Sequence, residues 1–96
     1  MLVCPVIVEP WVIADISDAV LHDCAILGDI LLDLNTFLPN NLAQYQSRRI
    51  PGSPTCFWYE RNYSLDPHSF KFRQLRFVVR DSDSSVLDVI YVLIGA

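Results

Sequence analysis

Apolar residues change their rhythm three times along the chain, and each rhythm predicts an element. Leu2–Val8 is β-branched and apolar, which reads as a short strand. Its Pro5 either faces outward or precedes the pairing, since proline cannot donate to a ladder. Glu9-Pro10 ends it, and Pro10 suits a helix's first turn. From Trp11 to Phe37 the period is helical. At about 100° per residue, Asp15, Asp18, His22, Asp29 and Asp33 share an arc of about 60°, and the rest of the surface is mostly Ile, Leu and Val. So narrow a polar stripe predicts a surface-solvated carboxylate row on a helix covered on most sides. Gly28 is the expected point of division into two helices, because a mid-helix glycine costs about 1 kcal/mol against alanine. Leu38-Pro39-Asn40-Asn41 should end the second, and Asn41–Arg49 could form another short one.

After the Pro51-Gly52-Ser53-Pro54 turn the period becomes two. Cys56–Tyr59 is an aromatic strand that continues into Glu60–Tyr63, and residues 64–69 form a loop. In Phe70–Arg80 the inward parity switches from Phe70 and Phe72 to Leu75, Phe77 and Val79, so a bulge or the true strand start lies near Arg73-Gln74. Asp81–Ser85 is a turn. Val86–Ile94 is apolar at nearly every position, as in a strand covered on both faces. A three-residue turn would set Val79 against Leu87, Phe77 against Val89, Leu75 against Tyr91, and Asp88 opposite Val78. The expectation is one α+β domain over residues 1–96: a short strand, one long or two consecutive helices, then a three-stranded antiparallel meander with the helices on one face of the sheet.

Composition narrows the function classes. Of 96 residues, 52% are apolar and 19% charged, which excludes a disordered chain and leaves more apolar surface than one small core easily hides. A second subunit on Ile13, Val20, Leu27, Ile30 and Leu31 would cover the surplus, so a homodimer is expected. The net charge of −4 argues against a generic phosphate-backbone binder. That charge is uneven: residues 1–47 hold six acids and no Lys or Arg, whereas residues 48–96 hold seven bases and five acids. The start of the chain shows no secretory signal and the helical stretch is too rich in Asp to span a bilayer, so a cytoplasmic protein without membrane contact is expected.

Candidate chemistry is sparse. Cys4, Cys24 and Cys56 fit reduced thiols. With His22 and His68 they lack the paired spacing of a structural metal site, so neither metal nor cofactor is expected. The arginines are more informative. Arg48, Arg49 and Arg61 beside Trp58 and Tyr59 could grip phosphate and stack bases, which is the route to a nucleic-acid or ribosome partner. Glu60 and Asp88 lie close enough to pair with such arginines across strands instead.

The run Arg49-Ile50-Pro51-Gly52-Ser53-Pro54-Thr55-Cys56-Phe57-Trp58 resembles the stretch before the second strand of RelE/ParE-type toxins. Leu75–Asp81, an acidic turn and Val86–Gly95 resemble that family's last hairpin, and the order of elements is similar. The resemblance implies a toxin of a toxin–antitoxin pair that cleaves ribosome-bound messenger RNA or poisons gyrase, with an antitoxin protein as partner. Arg76 then matches the arginine opening the third strand, with Arg73 and Arg80 as the other catalytic candidates. The family's two lysine positions fall on Trp58 and Glu60. That departure sets the expectation: a toxin-like fold that works through protein contacts rather than catalysis, since fold does not fix function. A homodimeric binding module and an RNA-cleaving enzyme are the competing readings.

Overall fold

The computed structural model describes residues 4–66, 68, 72–81 and 86–95. Strand β1 (Val6–Val8) leads into helices α1 (Pro10–Ala19), α2 (Cys24–Asn40) and α3 (Leu42–Gln46), followed by β2 (Arg49–Ile50), β3 (Ser53–Tyr63), β4 (Arg73–Arg80) and β5 (Leu87–Ile94). The strands form one mixed sheet in the order β1-β5-β4-β3-β2. β1 runs parallel to β5 and the other pairs are antiparallel. The α+β order expected from the sequence is present, with two additions: a two-residue edge strand β2, and the parallel attachment of β1 beside the last strand.

The helices cover one face of the sheet. Val12 and Ile16 of α1 and Ile30, Leu34 and Leu38 of α2 recur at four-residue spacing and are buried against Phe57, Tyr59, Leu75, Phe77, Val79, Leu87, Val89 and Val92. Each such aliphatic side chain contributes about 1.5–3 kcal/mol by leaving water. Val20 and Ile30 are core residues, 2% and 1% exposed, so they offer no surface to a second copy. Leu27 and Leu31 pack partly buried against the same cluster, and Ile13 is half-buried.

The helices divide at Val20–Asp23, not at Gly28. The His22 amide donates to the Ser17 carbonyl at 2.9 Å and the Leu21 amide to that of Asp18 at 3.2 Å, a Schellman closure. Leu21 (φ 54°) and His22 (φ 61°) are both left-handed there. Asp23 then caps α2, accepting from the Ala25 and Ile26 amides at 3.0 and 3.1 Å. This break dissolves the continuous carboxylate stripe, because the phase carried from Asp15 and Asp18 to Asp29 and Asp33 is lost. Pro39 lies inside the last turn of α2, so the helix ends two residues later than the proline rule suggests. The late carbonyls of Thr36 and Phe37 are met by the Asn40 and Asn41 side-chain amides.

In the sheet, Pro5 precedes β1 as one reading required, and its carbonyl accepts from the Leu87 amide. β4 starts at Arg73, which accounts for the parity switch. The expected β4–β5 register is not observed. Val79 faces Val89, Phe77 faces Val92, Leu75 faces Ile94, and Asp88 faces Arg80. A bulge between Val78 and Val79 leaves Ile90 unmatched on β5, so the inward set changes from Leu87 and Val89 to Val92 and Ile94. A strand apolar at nearly every position carries little parity from which to read that slip. Nor is β5 covered on both faces, since Tyr91 and Leu93 are exposed. The turn expected over Asp81–Ser85 falls largely on residues 82–85, which with residues 67 and 69–71 lie outside the described residues.

Gly28 sits inside α2 with open space where a Cβ would project. Gly28→Ala should therefore stabilise the fold by about 0.5–1 kcal/mol in urea unfolding at unchanged slope.

Candidate functional site

Alternation along β3, β4 and β5 sends one set of side chains away from the helices. Trp58, Val78 and Tyr91 stand in one cross-strand row, and Glu60, Arg76 and Leu93 in the next. Cys56, Arg80 and Asp88 make a third, with Ile7 of β1 beside Asp88. Ile7 is 52% exposed, Tyr91 48% and Leu93 38%, so this face is open to solvent.

The charges on it are matched. The Arg76 guanidinium lies 4.3 Å from the centre of the Trp58 ring, with Nε 3.6 Å from Glu60 Oε2. Glu60 also receives Arg48 at 3.4 Å and the Gln74 amide at 3.2 Å. Arg80 meets Asp88 at 2.6 Å. The cross-strand pairing read from the sequence is thus present, although Asp88 pairs with one arginine that it faces directly.

The remaining sequence candidates are elsewhere. Tyr59 is fully buried and cannot stack a base. Its hydroxyl donates to Asp33 at 3.0 Å, the Tyr63 hydroxyl donates to the same oxygen, and Arg61 Nε is 3.4 Å from it. The Arg61 guanidinium also lies over the Phe37 ring at 3.9 Å. Burial, reinforced by the Asp33 carboxylate, pushes both phenols well above the usual tyrosine range, so they stay protonated donors. Asp33, expected as one of a solvated row, instead fastens α2 to β3. Arg49 grips Asp81 through two bonds of 2.7 and 2.9 Å, and Gln46 adds a third. Arg73 points to the helix side of the sheet, where its Nε donates to the Gly95 carbonyl at 2.7 Å. The three catalytic candidates therefore do not converge: Arg76 and Arg80 are on the open face and Arg73 is not. Of the binding set, Arg48 and Trp58 share the open face, whereas Arg49, Tyr59 and Arg61 are held in internal contacts.

Every described arginine is thus engaged, five by carboxylates and Arg73 by a carbonyl. No cluster of three or more His, Cys, Asp or Glu that could hold a metal occurs among the described residues. The open face is thus apolar, with its charges paired internally. No helix among the described residues is long and apolar enough to cross a membrane. No family model, curated protein or solved structure matches this chain.

Sequence reasoning missed two features. The Asp33 clamp had a signal in Tyr59, Arg61 and Tyr63, which alternate on one face of one strand. The second is a pair of acids: the nearby Asp88 carboxyl, as a hydrogen-bond partner for the protonated form, raises the Glu9 pKa, with burial and the like charge adding to this and Arg80 opposing it.

Asp33→Ala would leave two phenols and a guanidinium without their acceptor. It should cost about 2–4 kcal/mol in denaturant unfolding, whereas Asp29→Ala on exposed α2 surface should stay within about 0.5 kcal/mol. The Glu9 shift has the opposite sign to a salt bridge: the folded state holds its proton more tightly, so the pair costs stability above the folded pKa and that cost fades as pH falls through it. Glu9→Gln should accordingly raise the melting temperature at pH 7, by an amount that shrinks in melts at progressively lower pH. Asp81 is held below the usual aspartate range by Arg49, so its contribution is present above the ordinary aspartate value and is lost as pH falls through the depressed one.

Proposed function

We propose that this protein is a non-catalytic binding module with a RelE/ParE-like layout, which docks a partner protein on the open face of its sheet. An antitoxin or the cellular target of a toxin is the class of partner this implies, and a cytoplasmic location belongs to the same proposal. The observation that carries it is the apolar row of Trp58, Val78 and Tyr91, with Leu93 adjoining, set among arginines already neutralised by Glu60 and Asp88. Trp, Tyr and Arg are the side chains that concentrate binding energy when a partner excludes water around them. A guanidinium already paired with a carboxylate has little charge to lend a phosphoryl transition state, which disfavours the nuclease reading. Of the five helix residues expected to meet a second copy, Val20 and Ile30 are in the core and Ile13, Leu27 and Leu31 are only partly buried, while Leu21 and Leu32 of the helical layer are exposed.

Induced expression in a bacterial host should arrest growth while ribosome-bound messages stay intact, and Tyr91→Lys should relieve the arrest. Harmless expression would overturn the proposal. So would message cleavage that Arg76→Ala abolishes, which would establish the nuclease.

A further inference from the structure

β5 has an edge as well as a face. β1 covers that edge only along Leu87–Val89, where the Pro5 carbonyl accepts from Leu87 and the Glu9 amide donates to the Val89 carbonyl. The Ile90 bulge then turns its carbonyl outward, and Trp11 Nε1 donates to it at 2.7 Å. Beyond that point the register pairs Tyr91 with Val78 and Leu93 with Arg76, and the Gly95 amide donates to the Gln74 carbonyl at 2.7 Å. The main chains of Tyr91, Leu93 and Gly95 therefore face β4, and those of Val92 and Ile94 face outward. Among the described residues no strand lies across from Val92 and Ile94.

Alongside this free edge runs an open hollow of about 400 Å³, lined by Asp15, Asp18 and Ala19 of α1, by Val92–Ile94, and by Arg73 at its end. Trp11, 55% exposed, stands at the other end of the free edge. Outward-facing N–H and C=O groups with no strand across from them are a template for one more strand, and here the edge opens at half-buried Ile94, since Val92 is 5% exposed.

We propose that this hollow takes an extended peptide segment of a partner protein as a sixth strand on β5, with Lys or Arg side chains opposite Asp15 and Asp18. This rests on the reading of the protein as a binding module and gives that partner its chemistry. Charge decides the occupant. The α1 wall holds two carboxylates, and residues 1–47 contain no Lys or Arg. A second copy paired β5 to β5 would bring its own Asp15 and Asp18 against the first pair, where like charges repel; a basic strand gains instead. Arg73 at the Ile94 end excludes a basic residue there, which fixes where along the segment the cations stand. The added strand would also continue the rows of Tyr91 and Leu93, so edge and open face would serve one partner.

The test uses three end-blocked octapeptides and the isotope-labelled whole chain: alternating Lys-Val, alternating Glu-Val, and Lys-Val with alternate amides N-methylated. The Lys-Val peptide should give saturable shifts at Asp15, Asp18, Val92 and Ile94 and slow amide exchange at Val92 and Ile94 by about tenfold or more. The Glu-Val and N-methylated peptides should leave both unchanged, and Asp15→Asn with Asp18→Asn should weaken Lys-Val binding about fivefold or more. No shift at millimolar Lys-Val, equal binding of either control peptide, or shifts confined to the Trp58–Tyr91 face would overturn the groove. Protection of Val92 and Ile94 that rises with protein concentration alone would overturn it in favour of a second copy. Peptide binding by a chain that does not arrest growth would leave the groove standing and remove the toxin-like reading; arrest without peptide binding would do the reverse.

Discussion

A single carboxylate sets how the helical layer sits on the sheet. Asp33 projects from α2 onto β3, where it accepts two tyrosine hydroxyls and faces the Arg61 guanidinium. Apolar contacts alone tolerate sliding, because a leucine gains nearly as much from one neighbour as from the next. A half-buried carboxylate does not, since each lost partner leaves a polar group dry. The aromatic chain follows from this anchor: Tyr59 is held with its ring edge-on to Tyr45 at 4.7 Å, and Tyr45 edge-on to Phe37 at 6.4 Å. The short helix α3 is thereby seated over β3, and the chain leaves it already aimed at the sheet's β2 edge.

The same economy governs the arginines. On β3 and β4, odd-numbered Arg61 and Arg73 point to the helices, and Arg76 and Arg80 point away. Each finds a nearby partner, so the positive half of the chain is spent largely on internal cohesion with its own acids. Exposed pairs of this kind add little stability individually. Their effect is on the character of the surface: they remove free cationic charge from a face whose aromatic and aliphatic residues remain available.

Much of the architecture was legible in the residues. The helical period of Trp11–Phe37 and the alternation of Phe57, Tyr59, Leu75, Phe77 and Val79 each have one dominant physical cause, a face that must leave water. Three features resisted. The helix break uses Leu21 and His22 in a conformation that glycine adopts more readily, while Gly28, the obvious breaker, is carried in mid-helix. Asp23 was the better guide, because a capping carboxylate satisfies amides that a new helix would otherwise leave unpaired. The β5 bulge was hidden by near-uniform apolarity, which offers little parity to violate. Asp33 was hidden by its company, since a wheel drawn through an unbroken helix groups it with solvated aspartates. Of the binding and catalytic candidates, Arg48, Trp58, Arg76 and Arg80 share the open face while Tyr59, Arg61 and Arg73 turn to the helices, because the sequence shows which residues alternate but not which side each strand turns to the helices.

The parallel seam between β1 and β5 has a consequence for biogenesis. Val6 meets Leu87, a partner about eighty residues downstream, and α1 rests on β5 as well. During synthesis the helices leave the ribosome with their aliphatic faces bare and no sheet to receive them. Closure waits for the final strand, which must thread into place between β4 and β1. Contacts of such long sequence separation slow folding and prolong the lifetime of sticky intermediates. Until β5 has been made, the aliphatic faces of α1 and α2 have no complete sheet to cover them.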